Sequence, residues 1–285
     1  MRTYYECLPC FSKQALTMLE FIPQKNHENF LRESMHMLGN VEYSLTPPEL
    51  ARKLYSIAYE YTDKIDFYAE KKKESNDFLI KIYAELQQKI NNSENPFETA
   101  VRYAIAGNII DFGAIHDFSI NTIHQELEKA LNAAELTTSS IQGLEKEIEK
   151  AKQILYIGDN AGEIVFDKLF IENLPTEKIV FSVRGGPIIN DALIDDAEQI
   201  GLTKIVKVIS NGAAIPGTCI SECSKEFQEY FNNADLIISK GQGNYETLSD
   251  SLKNIFFLLK IKCPVVASNI GAPLGQCVCL NKNYT

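Results

Sequence analysis

With 38 acidic and 28 basic side chains among 285 residues, this sequence has no positive excess with which to hold a polyanion. Its formal charge of −10 repels nucleic-acid phosphate and excludes general DNA or RNA binding. A cation or a few local basic groups could still reverse the field for one small phosphorylated metabolite. No apolar run approaches the roughly 20 residues that span a bilayer. The opening Met1-Arg2-Thr3-Tyr4-Tyr5-Glu6-Cys7 is too polar for a secretory leader. A cytoplasmic protein without a membrane partner is expected. The seven cysteines are too sparse, and odd in number, for a disulfide scaffold. The four histidines (His27, His36, His116 and His124) stand at no metal-ligand spacing and read as surface or interface residues. Nothing in the pattern fixes an oligomeric state.

The common nucleotide motifs are missing too. Gly158-Asp159-Asn160-Ala161-Gly162-Glu163 lacks the G-x-G-x-x-G spacing of a dinucleotide site, and no Walker A motif occurs. Alanine at position 161 removes the second carboxylate of an Asp-x-Asp phosphatase signature.

What is present falls into two halves. Up to about residue 150 the apolar spacing is helical: Cys10–Leu19, a helix after Thr46-Pro47-Pro48, Lys71–Ile90, Phe97–Ile110, Thr122–Ala133 and Ile141–Lys152. A polar break at 91–96 could divide this region, and the charge run Glu70–Glu74 reads as a solvated helix face. From 151 to 285, short β-branched runs at 154–157, 179–183, 205–209, 236–239 and 264–267 alternate with helical segments. Strands buried on both faces and separated by helices predict a Rossmann-like α/β/α layer with a mainly parallel sheet. Cys277-Val278-Cys279 is expected on a further strand, its two thiols packing on opposite faces.

Ligands of such sheets bind beyond the carboxyl ends of the strands. Here those ends read 158–163, Arg184-Gly185-Gly186-Pro187 with Asn190-Asp191, Ser210-Asn211-Gly212, Lys240–Glu246 and Ser268-Asn269, one rim of carboxylates, amides, cations and glycines. Asp159, Asn160 and Asp191 suit a hard divalent cation, although an Asp-Asn pair after a strand also makes a good turn or helix cap. Glu163 is either a base or a first-turn helix residue. Lys240 with Gly241 suits a phosphate cradle, or Gly241 simply makes a tight turn.

In their order these elements resemble the metal-dependent damage-control phosphatase family, formerly a domain of unknown function. Three segments carry the resemblance: 158–163 with Asn190-Asp191, Lys240-Gly241-Gln242-Gly243-Asn244-Tyr245-Glu246, and Gly107-Asn108-Ile109-Ile110-Asp111. Cys7-x-x-Cys10 resembles the prokaryotic-type subgroup. The resemblance implies a helical N-terminal region before a Rossmann-like domain and hydrolysis of sugar phosphates or damaged metabolites. It implies a metal (Mg²⁺, Mn²⁺, Co²⁺ or Ni²⁺) on Asp159, Asn160 and Asp191. Lys240 and Asn244 would then touch the substrate phosphate, with Asn108, Asp111, Arg184 and Gly241 in the same cleft. Water would attack in preference to Asp159 or Asp191, with Glu163 as a candidate base. Cys7, Cys10 and Cys263 are candidates for a second metal or redox site. Two rivals are an S-adenosylmethionine-dependent carboxyl methyltransferase and a non-catalytic phosphometabolite-binding protein.

Overall fold

The computed structural model describes residues 1–108, 120–132, 136 and 138–281. Among the described residues seven α-helices come first: α1 (Leu8–Met18), α2 (His27–Gly39), α3 (Pro47–Glu60), α4 (Ala69–Asn91), α5 (Pro96–Gly107), α6 (Ile120–Leu131) and α7 (Thr138–Lys150). The α/β part follows as β1 (Ile154–Ile157), α8 (Glu163–Ile171), β2 (Ile179–Val183), α9 (Ile194–Gln199), β3 (Lys207–Ser210), α10 (Lys225–Asn233), β4 (Leu236–Lys240), α11 (Gln242–Leu248), β5 (Ile255–Lys260), α12 (Pro264–Ile270) and β6 (Cys277–Leu280).

The sheet order is β3-β2-β1-β4-β5-β6, with five parallel strands and β6 antiparallel at the edge. This is the expected Rossmann-like α/β/α architecture behind an all-helical N-terminal region. The chain runs outward from β1 in one direction and from β4 in the other, so β1 and β4 meet at the topological switch point.

Alternate strand residues feed two cores. Tyr156, Phe181, Ile238 and Leu258 pack with α4, α5, α7 and α8, while Ile157, Ile237 and Phe257 pack with α10, α11 and α12. A third core joins α1, α2 and α3 and reaches Ile188 of the β2–α9 loop. Helix α3 starts where the sequence places it because Thr46 and Glu49 form a reciprocal capping box ahead of two prolines.

Three expectations are corrected. The run Pro264–Ala267 is helical: Pro264 occupies the first turn, Cys263 caps it by accepting from Val266 N–H, and Gly271 ends it in the left-handed region. The fifth strand is instead the continuous apolar run Ile255–Lys260. Cys277 and Cys279 share one sheet face, as residues two apart on a strand must, and Val278 faces the other core. The Glu70–Glu74 run is not wholly solvated. Lys72 is buried and pairs with Asp66 at 2.7 Å and Asp196 at 3.7 Å.

Candidate active site

The rim at the β1–β4 switch point forms the floor of a cavity of about 540 Å³. Asp159, Asn160, Asn190 and Asp191 line it on the sheet side; Phe11, Gln14 and Thr17 of α1 and Pro47, Pro48 and Ala51 of α3 form the opposite wall. The helical region thus walls one side of the cavity.

Two loops are locked together at this floor. Ala161 N–H donates to Asn190 O at 2.9 Å, and Ala192 N–H donates to Asp159 O at 2.8 Å, which makes Asn160 and Asp191 backbone neighbours. Within the second loop Ile189 has φ of 44°, a rare backbone for a β-branched residue. The loop lock holds it there, and such local strain is characteristic of functional loops.

The Arg184 guanidinium is buried beneath the two aspartates. Its Nε donates to Asp191 Oδ2 at 2.6 Å, and Nη2 reaches Asp159 Oδ1 at 3.4 Å. Nη1 donates to Thr218 Oγ1 and to Asn244 Oδ1. Asn244 is itself fully buried and donates to Lys240 O and Gly158 O. Gly241 has φ of 79°, and a Cβ at that position would collide with the Asp159 carboxylate. Glycine is required there twice over, by conformation and by space.

Lys240 does not face the cavity. Its ammonium is fully buried and donates to Ala104 O at 2.8 Å, Glu163 Oε1 at 2.7 Å and Asp167 Oδ1 at 2.5 Å, which uses all three N–H groups. Asp167 also accepts from Tyr156 Oη at 2.7 Å, and its Oδ2 is buried without a hydrogen-bond partner. Glu163 Oε2 accepts from Asn108 Nδ2 at 3.0 Å and from Asn160 Nδ2 at 2.9 Å.

The charges respond to this packing. Burial pushes the Asp159 carboxyl up to about 8, helped by the charges of Asp191 and Glu163 and opposed by Arg184 and Lys262. Burial also raises Asp191, against Arg184, and brings Asp167 to about 6, against Lys240. For Glu163 burial is outweighed by the Lys240 charge and by hydrogen bonds from Lys240, Asn108 and Asn160, and its carboxyl is lowered. Lys240 is raised, because the two carboxylates outweigh its burial.

The structure therefore brings Asp159, Asn160, Asp191, Glu163, Asn108, Arg184, Lys240, Gly241 and Asn244 into one cluster. It divides them between a cavity-lining floor and a support buried beneath it. Asp111 lies outside the described residues. The sequence reading missed Lys262, the only lysine or arginine among the described residues that line the cavity. It follows the true fifth strand, so the misplaced strand hid it. It also missed Asn76, fully buried on α4, whose Oδ1 accepts from Gly162 N–H at 2.7 Å and so fixes the start of α8. Thr218 and Asp167 complete the support and carry no motif of their own.

Cys7, Cys10 and Cys263 lie within electrostatic reach of one another, and Cys7 and Cys263 also of Glu246. Among the described residues, however, no three His, Cys, Asp or Glu side chains are grouped to hold a metal. No helix among the described residues is long and apolar enough to cross a membrane.

Comparison with known proteins places the chain in a family. Residues 3–278 match the damage-control phosphatase ARMT1-like domain. The chain is 37% identical over its whole length to a damage-control phosphatase of Pyrococcus horikoshii, of which 99% is covered. It is 35% identical to an uncharacterised protein of Methanocaldococcus jannaschii, over 97% of this chain and 94% of that one. A crystal structure of a DUF89 family protein from P. horikoshii superimposes with a TM-score of 0.90 and 35% identity, covering 99% of each chain. The chain is a member of the ARMT1-like damage-control phosphatase family.

Proposed function

We propose that this chain hydrolyses the phosphate ester of a small metabolite, sugar phosphates included, with a divalent cation held by Asp159, Asn160 and Asp191. The observation that carries the reading is the cavity floor. Two carboxylates and an amide lie side by side at the switch point of a parallel sheet, and the described residues that line the cavity include no thiol or imidazole. An all-oxygen donor set fits Mg²⁺ or Mn²⁺ better than a softer metal, and Co²⁺ or Ni²⁺ would substitute. A cation bound there would polarise the phosphoryl oxygens and draw charge from the leaving group.

The protein's own groups supply the rest. Lys262 is the cation available to a phosphate in the cavity. Gln242 and Gly243, in the first turn of α11, line the same wall, where backbone N–H groups have no intrahelical acceptor. Arg184 holds Asp159 and Asp191 in register and keeps both from rotating away. Lys240, Asn244 and Asn108 act beneath the floor and not on the phosphate. In this reading the nucleophile is water, because Arg184 already engages both aspartates and a cation held there would engage them further; trapping of a phospho-aspartate would refute that step.

The deciding experiment is phosphate release from p-nitrophenyl phosphate and a panel of sugar phosphates, with Mg²⁺ or Mn²⁺ and with EDTA. Asp159→Ala is assayed beside the unsubstituted protein. Metal-dependent release that disappears in the variant supports the reading. Folded, metal-supplied protein that releases no phosphate from any of them refutes it.

A further inference from the structure

An asparagine ligates a metal only through its carbonyl oxygen, yet its two amide orientations occupy nearly the same volume. Something must choose between them. In this structure the choice is made by four side chains in a closed array. Asn160 Nδ2 donates to Asp159 Oδ2 at 2.9 Å and to Glu163 Oε2 at 2.9 Å. Asn108 Nδ2 donates to the same two oxygens, at 3.1 and 3.0 Å. Two acceptors thus face two amide nitrogens, and all four N–H bonds are used. Asn108 turns its own Oδ1 to the backbone N–H of Lys260 at 3.3 Å. Asn160, which lines the cavity, leaves its Oδ1 for a ligand. Reversing it would set a carbonyl oxygen against two carboxylate oxygens.

We propose that Glu163 is a positioning residue whose fixed carboxylate, seated on Lys240, sets the Asn160 amide with its oxygen toward the metal. The inference rests on the metal site proposed above and replaces the role of base for Glu163. That carboxylate is fully buried and meets only donors: Lys240 on one oxygen, two amides on the other. No water or substrate reaches it. Its seat is rigid because Lys240 is tied to the α5 backbone at Ala104 and to Asp167, which Tyr156 of β1 fixes in turn. A glutamine at position 163 would aim an NH₂ group either at the Lys240 ammonium, which would lose one acceptor, or at the two amides, which would both lose theirs.

The test is Mn²⁺ affinity of the purified protein by electron paramagnetic resonance titration, a binding readout independent of turnover. Glu163→Gln is expected to weaken Mn²⁺ by roughly tenfold or more, the usual cost of losing a group that orients a ligand. In the Asn160→Asp background a carboxylate offers oxygen in either orientation and accepts from the new NH₂. There Glu163→Gln should weaken Mn²⁺ by less than about threefold, or strengthen it. Equal losses in both backgrounds overturn the proposal while leaving the metal site standing. No Mn²⁺ binding by the unsubstituted protein overturns the metal reading and this inference with it. A variant-free check guards against misfolding. The Asn160 side-chain amide protons should exchange with solvent at least about tenfold more slowly than those of exposed Asn92. Exchange as fast as at Asn92 overturns the orientation.

Discussion

The Lys240 ammonium lies 2.7 Å from the Glu163 carboxylate, with neither side chain exposed to solvent. An ion pair so placed is an internal strut, and the position of Lys240 after a strand and before a glycine loop conceals this. Removing one partner of such a pair costs about 3–5 kcal/mol, because the other charge stays buried without compensation. Lys240→Met is therefore expected to lower the unfolding free energy by at least about 3 kcal/mol in urea denaturation. A lysine that served only to touch substrate would leave stability within about 0.5 kcal/mol of the original and change KM alone.

Lys262 gives the opposite result. It is exposed at the cavity, and no ion pair ties its ammonium to the buried support among the described residues. Lys262→Met should raise KM for phosphate esters roughly tenfold, the worth of one charge-assisted hydrogen bond, with little change in melting temperature. Steady-state kinetics at two salt concentrations checks it. An unchanged KM removes Lys262 from the phosphate site.

Gly241→Ala tests the close approach of two loops. The substitution imposes strain at φ of 79° and drives a methyl group into the Asp159 carboxylate. The expected outcome is about 1–3 kcal/mol of lost stability together with roughly a hundredfold fall in kcat/KM. Wild-type kinetics in the alanine variant would show that Asp159 is not held against this turn.

Glu246 gives a pH signature of its own. Burial pushes its carboxyl from 4.5 to about 7, against a hydrogen bond from Gln242. The folded protein therefore binds this proton more tightly than the unfolded chain between those values. The contribution is full below pH 4.5, shrinks as pH rises and is gone above about 7. Glu246→Gln should stabilise the protein by about 2 kcal/mol at pH 8, with the gain fading toward pH 5. Denaturant melts at the two pH values measure it, and an equal gain at both would contradict the shift.

Local chemistry made much of this protein legible in the sequence. Thr46 and Glu49 around two prolines fix the start of α3 without outside help, and the runs at 154–157, 179–183 and 236–239 read as buried strands because alternating helices cover both their faces. Asp159, Asn160 and Asp191 stood out as hard-cation chemistry. The sequence could not say which way a side chain at a strand end points, since one residue of register or one helix start decides it. The start of α12 at Pro264 moved the fifth strand to 255–260 and placed Lys262 on the rim. The packing of α5 and α8 against β4 turned Lys240 inward to Ala104, Glu163 and Asp167. Sequence determined which chemical groups gather at the switch point, because composition and local periodicity are enough for that. Tertiary structure alone decided which of them line the cavity and which support the floor, because that depends on contacts between residues up to 152 positions apart.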